Sequence, residues 1–362
     1  MPVARYTLSG TIRGLRAFLG FEAGIVGDAS PSLPTPRRGN LVSEGANKRQ
    51  AREIERLRGL VIARDRELEE LRIQVARYRE ATSGSVRPEN IIWIFGTGRS
   101  GNTWFSSMMD EMGHEVWREP SVGKLFGEFY YFGSREGQRG TGNFVLGEKQ
   151  RDTWIRSIRN FVLEGASGRF PYLKDRCLVI KEQVGSVGAP LLMEALPESR
   201  MVFLIRDPRD VVASWANATR KGGWRYERLS RSDHDWKPLA EEDPEAFVEE
   251  RANHYLRNVS KAKQAYDNHK GRKVLVRYED VRAETVGTMK RVFSQLAMMV
   301  DQERLSRAVE KHAWENIPEE KRGEGKFHRK GRSGTWREDL TPEQVETVER
   351  ITAPLLREFY PD

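Results

Sequence analysis

The stretch IIWIFGTGRSGNTW, residues 91–104, decides the predicted fold. Its first six residues form an apolar run of the length of a buried strand, and a helical pattern follows over residues 102–112. A strand that enters a glycine-rich turn and then a helix forms a phosphate cradle, because main-chain N–H groups and the helix N-terminus face the anion.

This turn departs from the loop of nucleotide triphosphatases, which reads G-x-x-x-x-G-K-[ST] and whose lysine reaches the outer phosphates. When Gly96 and Gly101 are aligned with the two glycines, Asn102 replaces the lysine and Thr103 keeps the hydroxyl position. The cation lies inside the loop instead, at Arg99. The pattern argues against ATP hydrolysis and kinase chemistry and favours a diphosphate-like ligand without magnesium. A purely structural glycine turn is the alternative.

The rest of the chain alternates between apolar runs and helical segments. The runs at 176–181, 200–206 and 273–279 predict three more strands. Helical patterns occupy residues 188–196, 208–219, 245–268 and 283–298. Apolar strands separated by helices predict an α/β domain with a central parallel sheet flanked by helices. Ligands of such sheets bind at the carboxyl ends of the strands.

A second candidate anion site is RDPRDVVASWA, residues 206–216, at the exit of a predicted strand. Arg206 and Ser214 could face one small anion there, the arginine through a charge-assisted hydrogen bond. The alternative is a salt-bridged turn, in which the arginines of this segment pair with Asp207 or Asp210.

A third candidate is FHRKGRSGTWREDLT, residues 327–341. Adjacent Arg329 and Lys330 followed by Gly331 predict a basic, flexible turn that closes over a second phosphate. A solvated basic loop is the alternative.

Together these segments resemble the PAPS-dependent sulfotransferase family, which has a P-loop-like α/β fold. The family motifs read K/R-S-G-T-T-W/L, R-[ND]-P-[KR]-D-x-x-x-S and R-K-G-x-x-G-x-W-[KR], with a Y-E-D strand end. The matching segments are RSGNTW (99–104), RDPRDVVAS (206–214), RKGRSGTWR (329–337) and VRYED (276–280). The resemblance covers residues 91–362. Asn102 stands where Thr is more common, but its amide can still donate to a phosphate oxygen.

The resemblance implies transfer of a sulfuryl group from PAPS (3′-phosphoadenosine 5′-phosphosulfate) to a hydroxyl or amine, with release of PAP and no metal. It implies that the first segment holds the 5′-phosphosulfate, that the second and third hold the 3′-phosphate, and that aromatic residues contact adenine. The residues implied for the 5′-phosphosulfate are Arg99, Ser100, Gly101, Asn102 and Thr103. Those implied for the 3′-phosphate are Arg206, Ser214, Arg329, Lys330 and Gly331. Those implied for adenine are Trp104, Tyr278 and Trp314. For Trp314 a core position is the alternative.

Sulfuryl transfer also needs stabilisation of the leaving oxygen and a general base. We expect Arg99, the amides of residues 100–103 and Lys181 to stabilise the leaving oxygen. Gln183 occupies the position at which many soluble family members carry a histidine base. Glu119 and Glu182 remain as candidate bases, and we favour Glu119; a salt bridge with Arg118 or Arg99 is the alternative for it.

The acceptor is not defined by the sequence: a carbohydrate, lipid, phenol or peptide fits equally. Residues 121–135 are rich in aromatics that could line an acceptor pocket or belong to the core. Residues 220–244 resemble a lid. The six histidines lack metal-ligand spacing, so we expect no metal.

Composition sets the remaining expectations. The chain has 362 residues, a formal net charge of +8 and one cysteine, Cys177, which excludes an internal disulfide. A basic balance suits nucleic acid, anionic lipid or a small polyanion, and a solvated basic surface is the default. We expect no nucleic-acid partner and, since no apolar run could cross a bilayer, a cytoplasmic protein.

The N-terminal quarter differs from the rest. Residues 1–45 predict a flexible segment, in which 11–21 could contact a membrane surface. Residues 46–81 predict a coiled coil for self-association, because apolar residues step by three and four from Ile54. A helix folded back on the catalytic domain is the alternative. Residues 82–90 read as a linker, and the sulfotransferase domain spans 91–362.

Two other functions compete with sulfuryl transfer. A P-loop nucleotide kinase would require magnesium and a loop lysine. A non-catalytic scaffold would bind nucleotide while the coiled coil does the work.

Overall fold

The computed structural model describes residues 41–82, 86–133, 138–173, 176–231 and 238–361. The chain divides into two units, Met1–Ile73 and Gln74–Asp362. The predicted flexible segment up to residue 40, with its possible membrane contact, and part of the predicted linker lie outside the described residues. Of the described helices, none combines the length and the apolar character needed to span a bilayer.

The second unit is built on a five-stranded sheet in the order β2-β3-β1-β4-β5. All neighbouring strands are parallel, with β1 central between β3 and β4. The strands are β1 (Ile91–Gly96), β2 (Glu115–Arg118), β3 (Leu178–Lys181), β4 (Arg200–Ile205) and β5 (Lys273–Arg277). The predicted α/β fold with a central parallel sheet flanked by helices is confirmed.

Helices cover both faces of the sheet, and a long helix precedes it in the sequence. The α-helices of the described residues are α1 (Leu41–Thr82), α2 (Asn102–Glu111), α3 (Val122–Glu128), α4 (Arg151–Arg169), α5 (Ala189–Ala195), α6 (Pro208–Thr219), α7 (Trp224–Ser230), α8 (Leu239–Glu242), α9 (Pro244–Asn268), α10 (Tyr278–Ala283), α11 (Thr285–Gln295), α12 (Gln302–Lys311), α13 (Trp336–Asp339) and α14 (Pro342–Phe359).

The central strand shows why its sequence is apolar throughout. Trp93 and Phe95 pack on one face with residues of α4, α5 and α9, whereas Ile92 and Ile94 pack on the other with residues of α2 and α11. A parallel strand buried on both faces gives a continuous apolar run instead of an alternating one.

The topology brings the functional loops together. From β1 the chain builds β2 and β3 on one side and then crosses to β4 and β5 on the other. The loop after β1 therefore lies where the strand order reverses, which is where open α/β sheets bind ligands. The Arg206 segment follows the adjacent strand β4 and leads into α6, whose first turn is capped by Asp207 through a 2.8 Å hydrogen bond from the Arg209 N–H.

Candidate active site

The turn after β1 is held in a glycine-dependent conformation. Gly101 has φ 87°, and a Cβ there would lie 2.6 Å from the Tyr278 ring. A Cβ on Gly98 would lie 2.7 Å from the Trp215 ring. The backbone at both positions therefore sits against aromatic side chains with no room for a larger residue. Immediately after the turn, the first N–H groups of α2 lack partners within the helix, as at any helix start.

Asn102 braces this turn from inside. Its side-chain amide donates to the Thr97 carbonyl at 2.7 Å and to Gln183 Oε1 at 3.2 Å. Both amide hydrogens are thereby used within the protein. An anion at this position would meet the main-chain N–H of residue 102, not the side-chain amide that the sequence suggested.

Arg99 lies on the loop but reaches toward the second segment. Its Nε donates to Ser214 Oγ at 2.9 Å and its Nη2 to the Phe327 carbonyl at 2.9 Å. The guanidinium also lies over the rings of Phe327 and Trp224, 4.7 and 5.6 Å from their centroids. Burial, together with repulsion from Arg206 and Arg329, lowers the pKa of Arg99 to about 10. The guanidinium is therefore still charged at neutral pH.

Arg206 links the loop after β1 to the third candidate segment, residues 327–341, which we call the C-terminal segment. Its Nη1 donates to the Arg99 carbonyl at 3.0 Å and its Nη2 to the Arg332 carbonyl at 3.3 Å. The Arg206 guanidinium lies 4.4 Å from the centroid of the Tyr278 ring. The three predicted anion segments consequently meet at this side chain.

Asp210 is the site residue that the sequence suggested only as part of a salt-bridged turn. Its carboxylate is fully buried, accepts from the N–H groups of Gly334 at 2.8 Å and Trp336 at 3.0 Å, and accepts from the Thr335 hydroxyl at 3.3 Å. It also lies 3.5 Å from Arg206. Asp210 thus fastens the C-terminal segment to α6.

The basic residues of the C-terminal segment are paired with carboxylates of α13. Arg329 contacts Asp339, and Lys330 Nζ lies 2.9 Å from Asp339 and 2.8 Å from Glu338. Burial alone would lower the pKa of Lys330, but its hydrogen bonds to Glu338 and Asp339 raise it. Nη1 of Arg329 is buried and has no hydrogen-bond partner among the described residues.

Aromatic side chains form the walls beside these cations. The Trp104 and Tyr278 rings meet edge to face with centroids 6.1 Å apart, and Trp104 Nε1 donates to the His312 carbonyl at 2.9 Å. Gly331 has φ 62°, and a Cβ there would lie 2.2 Å from the Trp314 ring. Trp314 therefore packs directly on the backbone of the basic turn.

Apart from Ser100, the predicted nucleotide-contacting residues line one cavity of about 620 Å³. This volume lies within the usual range for small-molecule sites, about 300–1,000 Å³. The shared residues are Arg99, Gly101, Asn102, Thr103, Trp104, Arg206, Ser214, Tyr278, Trp314, Arg329, Lys330 and Gly331. Trp224 and Phe327 also line the cavity. The sequence did not predict these two as nucleotide-contacting residues, because each is an isolated aromatic residue in a polar segment.

Glu119 and Lys181 lie at the edge of this arrangement. Lys181 Nζ is 3.3 Å from Thr103 Oγ1, on the cavity wall, and 3.2 Å from Glu119 Oε1. The other Glu119 oxygen accepts from the Val184 N–H at 3.1 Å. Burial raises the pKa of Glu119, although Lys181 opposes this shift. Glu119 also adopts a left-handed backbone conformation with φ 53°, a strained geometry typical of functional positions.

Glu182 has different surroundings. Its side chain is completely buried and Oε1 accepts from the Val122 N–H at 2.8 Å, at the start of α3. Burial raises the pKa of Glu182 to about 7. Among the described residues, neither Glu182 nor Glu119 lines the cavity. The Glu182 carboxylate holds the N-terminus of α3, whereas Glu119 is linked through Lys181 to Thr103, which lines the cavity.

The two segments considered for the acceptor, residues 121–135 and 220–244, each contain aromatic side chains with different surroundings. Tyr130 is buried and packs against Trp154 in the core, whereas Phe129 and Phe132 are exposed. In the suggested lid, Trp224 lines the cavity, and Trp236 lies outside the described residues.

A protein-family model matches most of this chain. The model of the sulfotransferase domain family matches residues 89–360. Comparison with curated proteins gives no match. Among solved structures, mouse sulfotransferase SULT7A1 complexed with PAP is 12% identical, covering 77% of this chain and 88% of its own, with a TM-score of 0.44. Sulfotransferase STF9 from Mycobacterium avium is 15% identical, covering 81% of each chain, with a TM-score of 0.45.

Proposed function

This chain belongs to the sulfotransferase domain family, and from that premise we propose that it transfers a sulfuryl group from PAPS to a hydroxyl or amine of an acceptor and releases PAP. The observation that carries the choice of donor is the convergence of the guanidinium groups of Arg99, Arg206 and Arg329 with the rings of Trp104, Tyr278 and Trp314 in one cavity. Arginine forks suit phosphate oxygens, and flat aromatic walls suit a nucleobase.

The residues present fit an anionic nucleotide. Nη1 of Arg329 and Nε of Arg206 are buried without hydrogen-bond partners among the described residues, so both retain donors for a ligand. Repulsion from these two arginines contributes to the lowered pKa of Arg99, and a bound anion would relieve this repulsion. When bound, PAPS supplies the transferable sulfuryl group and the PAP leaving group.

Each part of the cavity then has a task. Arg206, Ser214, Arg329 and Lys330, with the backbone at Gly331, would bind the 3′-phosphate. The main-chain N–H groups of residues 100–103 would bind the 5′-phosphosulfate. The rings of Trp104, Tyr278 and Trp314 would contact adenine. The Arg99 side chain extends from the loop after β1 to Ser214. Its guanidinium would therefore lie between the sites proposed for the 5′-phosphosulfate and the 3′-phosphate.

For the proton transfer we assign Glu119 as general base, because it contacts Lys181, which donates to the cavity-lining Thr103, and because burial raises its pKa toward the working range of a base. Lys181 would hold the Glu119 carboxylate in place and stabilise negative charge that develops near Thr103. Glu182 would support α3 instead of taking part in chemistry.

Two measurements test the proposal. PAP titrated calorimetrically without metal should bind more tightly than ATP, and Arg206→Ala should weaken PAP binding by about 10-fold or more, the size of one lost charge-assisted contact. Arg176→Ala, which removes a surface ion pair with Glu115, is the matched control and should leave PAP binding unchanged. Magnesium-dependent ATP binding tighter than PAP binding would favour the kinase and contradict the proposal.

The second measurement identifies the acceptor. Labelled sulfate should pass from PAPS into a molecule of a cell extract with wild-type protein but not with Glu119→Gln. If PAP binds yet no extract molecule is ever labelled, the non-catalytic scaffold is the better description.

A further inference from the structure

Helix α1 carries an apolar face that is exposed to solvent. It spans 42 residues, about 63 Å at 1.5 Å per residue. The side chains described within it are exposed, and several are large and aliphatic: Leu57 is 50% exposed, Val61 59% and Leu71 49%. A helix with aliphatic side chains exposed at regular intervals would gain stability by burying them against another helix. The residues that flank these side chains indicate which helix this is.

The aliphatic residues follow a heptad. Ile54, Val61 and Leu68 occupy position a, and Leu57 and Leu71 occupy position d, with Arg64 as the interruption. Two of these three a residues, Ile54 and Val61, are β-branched, and β-branched residues at a together with Leu at d favour two parallel strands over higher oligomers. Arg64 lies 2.7 Å from Glu67 of the same helix, which neutralises the interrupting charge.

The charges beside the seam select the orientation. Position g carries Glu53, Leu60 and Glu67, and position e carries Arg58, Asp65 and Arg72. In a parallel in-register pair, each g residue faces the e residue five positions later on the other strand, which pairs Glu53 with Arg58 and Glu67 with Arg72. An antiparallel pair instead places g beside g and e beside e, so that Glu53 and Glu67 meet no basic residue and Arg58 and Arg72 meet at most Asp65.

Each of these four side chains forms an exposed ion pair within its own helix. Arg58 contacts Glu55 at 3.5 Å and Arg72 contacts Glu69 at 3.3 Å. Glu53 contacts Arg56 at 3.7 Å and Glu67 contacts Arg64 at 2.7 Å. Pairs of this exposed kind contribute little and rearrange at small cost.

We propose that α1 pairs with α1 of a second copy of this chain as a parallel, in-register, two-stranded coiled coil whose register is set by the Glu53–Arg58 and Glu67–Arg72 contacts. This goes beyond sulfuryl transfer and does not depend on it.

The mass of the full chain in solution is the first test. Analytical ultracentrifugation should give twice 41.7 kDa for the wild type. Val61→Glu combined with Leu68→Glu should raise the dimer dissociation constant by ~100-fold or more, since two aliphatic side chains lose their burial. Ile62→Glu is the matched control, because Ile62 is 56% exposed but lies at position b. A monomeric wild type, or equal dissociation by the control, overturns the proposal.

Orientation is tested by cross-linking in the full chain. Leu57→Cys and Leu71→Cys, made separately, should each form a symmetric interchain disulfide, because d faces d in a parallel pair. The native Cys177 is buried. An antiparallel pair can self-cross-link at no more than one of these positions, so cross-linking at only one, or at neither, overturns the proposal.

The charge pattern supplies a third readout with its own rescue. Glu53→Arg with Glu67→Arg should weaken the dimer, and adding Arg58→Glu with Arg72→Glu should restore it. Failure of the second pair of substitutions to restore the dimer contradicts the proposed register. Circular dichroism and PAP binding should stay unchanged throughout, which separates loss of assembly from unfolding.

Discussion

Replacing Asp210 with alanine should loosen the C-terminal segment from α6 and weaken nucleotide binding. The Asp210 carboxylate is fully buried and accepts from Gly334, Thr335 and Trp336, while also lying 3.5 Å from Arg206. Its removal leaves buried donors and a partly buried guanidinium without their acceptor. Breaking a buried ion pair of this kind costs about 3–5 kcal/mol.

The same change should reach the ligand. Gly334–Trp336 is the attachment point of the turn that carries Arg329 and Lys330, so freeing it removes two cations from a fixed position beside Arg206. We expect the dissociation constant for PAP to rise by ~10- to 100-fold, equivalent to about 1.4–2.8 kcal/mol. Urea unfolding followed by fluorescence measures the stability, and isothermal titration with PAP measures the affinity.

Milder variants keep the test informative if Asp210→Ala does not fold, since a whole domain is stable by only about 5–15 kcal/mol. Asp210→Asn keeps one acceptor oxygen and should lose less. Thr335→Val removes a single donor at 3.3 Å and should cost about 1 kcal/mol. Asp207→Asn is the control, because Asp207 pairs with Arg209 and not with the C-terminal segment. If Asp210→Asn and Asp207→Asn weaken PAP binding equally, Asp210 does not fasten the segment and the reasoning is wrong.

Three further predictions concern the carboxylates and the basic turn. Glu119→Gln should reduce transfer by ~100-fold or more while PAP affinity stays unchanged. In the wild type kcat/KM should fall as the pH drops through the raised pKa of Glu119, above 4.5, and this acid limb should persist in Glu182→Gln. Burial raises the pKa of Glu182 from 4.5 to about 7 in the folded protein. The free energy of unfolding should therefore decline by at most about 3 kcal/mol as the pH rises between these two values. Urea unfolding at several pH values should show this decline in the wild type and a flatter one in Glu182→Gln. Gly331→Ala should weaken PAP binding measured by titration, because the new Cβ meets the Trp314 ring and φ is 62°; unchanged affinity would show that the turn is not held against Trp314.

Much of the fold was predictable because it rests on local patterns. The run IIWIFG became β1 over its predicted bounds, and α6 spans the predicted residues 208–219, since Asp207 and Pro208 mark its start. The strand predicted over 273–279 was too long: it ends at Arg277, and a helix begins at Tyr278.

Elements defined by tertiary packing were missed. The edge strand β2 has only four residues, EVWR, and all of them are half-exposed or exposed. Because such a strand needs no apolar run, its sequence did not predict it. Helix α3 contains two glycines, which weaken any helix prediction. A Cβ on Gly123 would lie 2.1 Å from the Gly185 carbonyl, so this helix exists because its backbone packs closely on the turn after β3.

The candidate site shows the same division between local and distant information. The family motifs placed the cations and aromatics, because each motif is a short contiguous segment. They did not predict where Arg99 points, since its partners Ser214 and Phe327 lie 115 and 228 residues away. Nor did they show the role of Asp210, whose contacts lie 124 to 126 residues along the chain.

The distribution of counter-charges indicates which cation an incoming anion would engage most strongly. Arg206 already lies near Asp210, and Arg329 contacts Asp339, so an anion at either guanidinium shares it with a carboxylate. Arg99 donates only to neutral oxygens in the hydrogen bonds found here, and within the described residues it forms no ion pair. Its lowered pKa has the same origin, because burial and two neighbouring cations act on a charge that no carboxylate offsets. Arg99, the loop cation that replaces the usual lysine, is therefore the group for which a bound anion would supply the missing negative charge.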